Sequence, residues 1–174
     1  MMHAEMIGQI SLDDYVRKYN SDVSATNQGT EKICWAHATA TVVHLASKRV
    51  VGREVSNFAV IRSEFLDEFG RTGQNVETVL SRMCPKYRLQ YKEVNEAEAR
   101  DAIHARRPVV ATFALDRANW ANFSDFFGRS PEGILTGDVM NAEPTLAKAR
   151  AVRVGGHAVV LIRCDETSLT FMNS

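Results

Sequence analysis

A cysteine followed at once by tryptophan, in "NQGTEKICWAHA" at residues 27–38, is the first place where chemistry is legible. A thiolate is a strong nucleophile, and a helix N-terminus or an imidazole favours its formation. Cys34 stands where polar loop residues give way to a long apolar run, so the pattern places it at the start of a helix. Gln28, six positions earlier, has a side-chain amide that can join the backbone N–H of Cys34 in donating to an oxyanion. A basic partner must come from elsewhere. Of the five histidines, His157 opens the apolar strand "HAVVLIRC" straight after Gly155 and Gly156. Glycines there permit close backbone approach, and a strand start is a place for a side chain to face a cleft. Asn173 follows sixteen residues later at the end of the next expected strand, where a hairpin would let it orient the imidazole. His37 and His44 fall seven apart within the apolar helix and read as core or cap residues, so no metal is expected. Cys84 and Cys164 read as buried structural thiols.

These residues need elements to carry them. "SLDDYVRKYN" suits a short helix capped by Ser11, with acids early and bases late. From about Ile33 the pattern predicts a central buried helix through "CWAHATATVVHLASKRVV", closed by Gly52. Helices are expected over 56–69, capped by Ser56, and over 75–84, ended by Pro85. In the second half, "RLQYKEV" reads as a strand and "EAEARDAIHARR" as a helix stopping before Pro108. "PVVATFAL" reads as a buried strand, and "WANFSDFFG" as irregular and aromatic, its rings suited to a cleft or to the core. The last stretch reads as two strands joined by a turn at Asp165–Ser168. The expected class is α+β. One domain spans 1–174, with residues 1–90 a mainly helical lobe, 91–174 a mainly β lobe, and a cleft between them.

Composition sets the outer bounds. The chain has 174 residues, of which 45% are hydrophobic and 24% charged, with a formal net charge of zero. A neutral chain with scattered basic residues gives no reason to expect nucleic acid or an anionic membrane as partner. Three cysteines make no disulfide framework and suit a reducing compartment. No signal-peptide pattern opens the chain and no apolar stretch approaches membrane-spanning length. A cytoplasmic location is expected, and an effector delivered into a host cytosol would have the same composition.

The ordered set Gln28, Cys34, His157, Asn173 resembles that of the papain-like cysteine peptidases. "NQG" and "CWA" resemble the family's glutamine-to-nucleophile block, "GGHAVVLIRCD" its histidine strand and "FMNS" the start of its asparagine block. Between them, "EAEARDAIHARRPVVATFAL" resembles its helix and Pro-Val strand, and "NFSDFFGRSPEGIL" its aromatic approach to a Gly-Ile turn. The resemblance implies the papain-like two-lobe fold and hydrolysis of peptide or isopeptide bonds in a peptide or protein substrate, without a cofactor. Cys34 would be the nucleophile, His157 the general base and acid, Asn173 the orienter of the imidazole and Gln28 the oxyanion donor. Gly73 and Gly156 would bind substrate, Gly73 standing near where the family has a glycine pair that hydrogen-bonds substrate backbone.

The chain also departs from the family. Glu31 stands where secreted members carry a disulfide cysteine, and the connection from Ile134 to His157 is long enough to shape substrate choice. Nothing follows Ser174, whereas the family continues with a tryptophan, a glycine and further strands. An uncovered strand edge would then invite a protein partner or a second copy. Two alternatives stay open: an acyl transferase using the same Cys–His pair, and a catalytically weak scaffold that binds a protein partner.

Overall fold

Fifteen residues, Cys34–Lys48, form helix α1, and twelve of them are buried. Alanine-rich and apolar nearly all round, such a helix has no face suited to water and becomes the centre of the packing. Two of its threonines are satisfied within the helix: Thr39 Oγ1 donates to Trp35 O at 2.6 Å and Thr41 Oγ1 to His37 O at 2.7 Å. His44 Nδ1 lies 3.0 Å from Ser56 O. The computed structural model describes residues 32–130, 133–135 and 155–173. The expected helix at 11–20, Gln28 and most of the Ile134–His157 connection lie outside the described residues.

Four further helices follow the same logic. Helix α2 is Phe58–Phe69, capped by Asn57, whose side chain accepts from Val60 N; its buried residues Phe58, Ile61 and Phe65 recur at helical spacing. Helix α3 is Val76–Lys86, capped by Asn75. Helix α4 is Glu96–His104, opened by a reciprocal capping box between Asn95 and Glu98. Helix α5 is Arg117–Arg129, capped by Asp116. Strands β1 (Val109–Leu115), β2 (Gly155–Cys164) and β3 (Leu169–Met172) form one sheet in the order β1-β2-β3. Strands β2 and β3 pair antiparallel, Val160 opposite Met172 and Cys164 opposite Leu169, with a register shift between Leu161 and Arg163. Among the described residues the architecture is therefore α+β, and no helix is long and apolar enough to cross a membrane.

Several expectations are corrected. "RLQYKEV" is not a strand: its alternation finds no partner strand among the described residues, and an unpaired strand has no ladder to hold it. "WANFSDFFG" is not irregular, because it lies within α5. Pro85 sits inside the last turn of α3 rather than ending it at 84, and Tyr87 N closes the helix onto Met83 O and Cys84 O. Asn57 replaces Ser56 as the cap of α2, and α1 ends at Lys48 rather than running to Gly52. Strand β1 is buried at its ends, Val109 and Leu115, but exposes Thr112 and Ala114 between them.

The described residues gather into two compact units, one running up to Ala111 and resuming at Ala158, the other Thr112–His157. In the first unit, one apolar cluster joins Trp35, Leu45, Phe58, Ile61, Phe65, Val79 and Met83 between α1, α2 and α3. A second joins Ala99 and Ile103 of α4 to Val109, Leu161 and Cys164 of the sheet. In the second unit, Phe113 and the α5 residues Trp120 and Phe123 pack with ring centroids 5.6–6.4 Å apart.

The β2–β3 turn is fixed by one carboxylate. Asp165 Oδ1 accepts from Thr167 N and Ser168 N, both at 2.8 Å, and Oδ2 accepts from Ser168 Oγ at 2.6 Å. Arg100 Nη1 of α4 donates to both Asp165 O and Ser168 O, holding the turn from outside. The hydrogen bonds from Ser168 and Thr167 hold the Asp165 carboxyl well below the usual range. An aspartate whose pKa is lower folded than unfolded stabilises the fold above its ordinary value of 3.8 and loses that contribution as pH falls toward the folded value. Asp165→Asn is therefore expected to flatten the acid limb of the stability profile. Urea titrations between about pH 5 and about pH 2 check this, and an unchanged slope contradicts it.

Candidate active site

Cys34 is the first residue of α1, and the helix begins there without a side-chain cap. Ile33 stands in the cap position with φ −115° and ψ 19°, and its carbonyl accepts from Ala36 N and His37 N. The positive end of the helix dipole therefore lies at Cys34. Of the three free cysteines, Cys34 is half-buried while Cys84 and Cys164 are buried. Cys84 belongs to the core between the helices, where burial pushes its thiol up to about 11.

The third cysteine has a histidine partner that the sequence gave no reason to choose. Cys164 Sγ, at the end of β2, lies 3.5 Å from His104 Nε2 at the end of α4. The two are 60 residues apart, and no local spacing joins them. Burial raises the Cys164 thiol pKa, a shift opposed by Arg100 and reinforced by Asp165 and Asp101. A thiol with a raised pKa is a poor nucleophile, so proximity to imidazole does not by itself make this pair reactive.

Around Cys34, the first unit assembles a small apolar cluster. Ala38 and Val42 of α1 pack with Ala158 and Val160 of β2, and Cys34 and Met172 pack against them. This brings together Cys34, the residue that follows His157 in the chain and the residue that precedes Asn173. Asn173 itself is half-buried and directly follows the last paired residue of β3.

On its other side, Trp35 fixes a loop beside the same helix end. Its ring is 1% exposed, meets Phe69 edge-on at 5.9 Å, and donates from Nε1 to Thr72 O at 2.8 Å. Gly73 comes next and is exposed. The two buried histidines of α1 are set in the core, His44 against Ser56 O and His37 with its ring 6.1 Å from Phe58. Among the described residues no group of three or more potential ligands is placed to hold a metal.

His157 belongs to the second unit and is 7% exposed. Three aromatic rings surround its imidazole edge-to-face: Trp120 at 5.3 Å, Phe113 at 5.4 Å and Phe123 at 6.0 Å. Such a box keeps water from the ring. The signal for it was present in "WANFSDFF", whose Trp120, Phe123 and Phe127 are spaced for one helical face. Gly156, beside His157, is exposed, and among the described residues no atom beyond its chain neighbours lies within 4 Å of where a Cβ would stand.

The first unit thus holds Cys34, Gly73 and Asn173; the second holds Gly156 and His157; Gln28 lies outside the described residues. Comparison with known proteins finds no family model, no curated protein and no solved structure that matches the chain.

Proposed function

We propose that the protein is a papain-like cysteine peptidase that hydrolyses peptide or isopeptide bonds through a Cys34 acyl-enzyme. The observation that carries the reading is the contrast among the cysteines. Cys34 alone of the three stays half-exposed, and it does so at the start of α1, packed against the cluster of Ala38, Val42, Ala158 and Val160. The resemblance in sequence supplies the remaining roles.

In the proposed reaction, Cys34 Sγ attacks the substrate carbonyl carbon after giving its proton to His157. The tetrahedral oxyanion is held by the Cys34 backbone N–H and the Gln28 amide. Collapse breaks the C–N bond, and His157 returns the proton to the leaving amine. Water, deprotonated by His157, then cleaves the thioester and regenerates the thiol. Asn173 holds the imidazole in the productive orientation. The aromatic box of Trp120, Phe113 and Phe123 limits its access to water.

Labelling with an epoxysuccinyl peptide, followed by peptide mapping, tests the assignment. The expected adduct is on Cys34, formed at least about tenfold faster than with His157→Ala. An adduct spread over Cys84 and Cys164, or equal rates for wild type and His157→Ala, overturns it. Turnover of a peptide ester with an added amine separates hydrolysis from transfer: free acid supports the peptidase, and amide product supports the transferase.

A further inference from the structure

We infer that the arginines gathered where α1, α3 and α4 end form a docking surface for an acidic segment of a partner protein. The inference is independent of the peptidase reading. These residues stand at the opposite end of α1 from Cys34, about 22 Å away along the fifteen-residue helix.

Along the chain the basic residues look scattered, but the first unit brings five of them together. Arg49, directly after α1, donates from Nη2 to Ala105 O, the carbonyl that follows α4, at 3.2 Å. Arg53 donates from Nη1 to Tyr87 O, which follows α3, at 2.8 Å. A turn ties these two arginines to each other, Arg53 N donating to Val50 O at 3.2 Å. Arg106 and Arg107 come directly after Ala105, and Arg88 directly after Tyr87.

Two of the five hold positions that folding alone would give to glycine. Helices α3 and α4 close in the same way: Arg88 N donates to Pro85 O and Leu89 N to Cys84 O, while Arg106 N donates to Ile103 O and Arg107 N to Ala102 O. This paired closure uses a left-handed residue just past the cap, most often glycine. Arginine takes that place both times, with φ 52° at Arg88 and 56° at Arg106, a conformation that disfavours a Cβ. Arg49 and Arg53 have a structural role, since each binds the carbonyl at one of those helix ends. Arg88, Arg106 and Arg107 are exposed, and among the described residues their guanidinium groups have no hydrogen bond and no carboxylate partner. Strained side chains without an internal partner fit a function directed outward.

The surroundings select the partner. Val50 and Val51, 41% and 99% exposed, lie between Arg49 and Arg53. A phosphate backbone offers two valines nothing to contact, and a bilayer takes a wider apolar face than two side chains. A chain of zero formal net charge also has no long-range attraction for either polyanion. A short acidic segment with an aliphatic residue meets both features. Its carboxylates pair with the planar guanidinium groups, and its aliphatic side chain covers the valines.

The test is fluorescence anisotropy of a fluorescein-labelled peptide of repeated Glu-Glu-Leu. Wild type is compared with the Arg88→Gly/Arg106→Gly double variant, with Arg107→Glu, and with Arg129→Glu as a control in the second unit. Wild type is expected to bind the peptide, with Kd rising severalfold at about 0.5 M salt. The glycine pair should raise Kd by roughly three- to tenfold, the loss of two exposed ion pairs. It should also raise the urea midpoint of unfolding, because glycine suits the left-handed backbone. Arg107→Glu should raise Kd as much, and Arg129→Glu by less than about twofold. No binding by wild type, an equal loss in Arg129→Glu, or an unchanged Kd in the glycine pair overturns the inference. Phosphatidylserine vesicles or an oligothymidylate bound as tightly as the peptide overturn it too, and assign the surface to a membrane or to nucleic acid. Arg107→Glu, where the backbone is not left-handed, decides the matter if the glycine pair does not fold. No readout uses turnover, so the peptidase reading stands or falls separately.

Discussion

Replacing Cys34 by alanine is expected to lower kcat for a peptide substrate by about 10⁶-fold, the scale of loss when a triad nucleophile is removed. Without Sγ no acyl-enzyme can form, and only the binding and oxyanion contributions remain. The protein should still fold, because Cys34 is half-buried and α1 begins with alanine-compatible geometry. Alanine is also the better helix former. Cys84→Ala and Cys164→Ala provide the contrast. Both thiols are buried and both have raised pKa values, so their removal should leave kcat within about twofold. Progress curves on a fluorogenic peptide, with each variant checked by circular dichroism, decide the matter. Retained turnover in Cys34→Ala, or its loss in Cys164→Ala, would shift the chemistry away from the first residue of α1. The latter result would point instead to the Cys164–His104 pair.

Phe65→Ala is expected to cost about 3–5 kcal/mol of folding stability. Phe65 is fully buried on the inner face of α2 with Phe58 and Ile61. Its ring lies 6.1 Å from that of Tyr87, and it shares a cluster with Trp35, Val79 and Met83. Truncation forfeits the transfer free energy of the ring and leaves a cavity that three packed helices close only in part. Against a total of about 5–15 kcal/mol, this is roughly a fifth or more of the stability. The melting temperature should fall by roughly 6–20 °C for a chain of this size. Val51, which is 99% exposed, is the matched control, and Val51→Ala should stay within about 0.5 kcal/mol. Urea denaturation of the three proteins gives the comparison. A Phe65→Ala loss below about 1 kcal/mol would mean that this cluster is not the cooperative core.

The elements that could be read from the chain are those whose signal is local. The run "CWAHATATVVHLASK" makes α1 because its alanines and apolar residues leave no polar face. The hairpin was legible because an aspartate three residues before a serine can hold the turn by itself, as the Asp165 bonds do. The capping box at Asn95 and Glu98 is likewise written in adjacent residues. Helix α5 was misread although Trp120, Phe123 and Phe127 have helical spacing, because the density of aromatics hid the Asp116 cap that starts it. "RLQYKEV" alternates as a strand should, but a strand needs a neighbour, and neighbours are not encoded locally.

By itself the sequence determined which chemical groups exist: three thiols, five imidazoles, and an asparagine sixteen residues after His157. It also determined that Cys34 opens a helix. Tertiary structure decided which thiol remains half-exposed, which are buried, and that Cys164 meets His104 across 60 residues. It also decided that His157 is ringed by Trp120, Phe113 and Phe123, and that Trp35 reaches Thr72. The physical reason is common to all of these. Helix starts and turns are set by bonds among neighbours in the chain, whereas burial and side-chain pairing depend on which distant surfaces exclude water together.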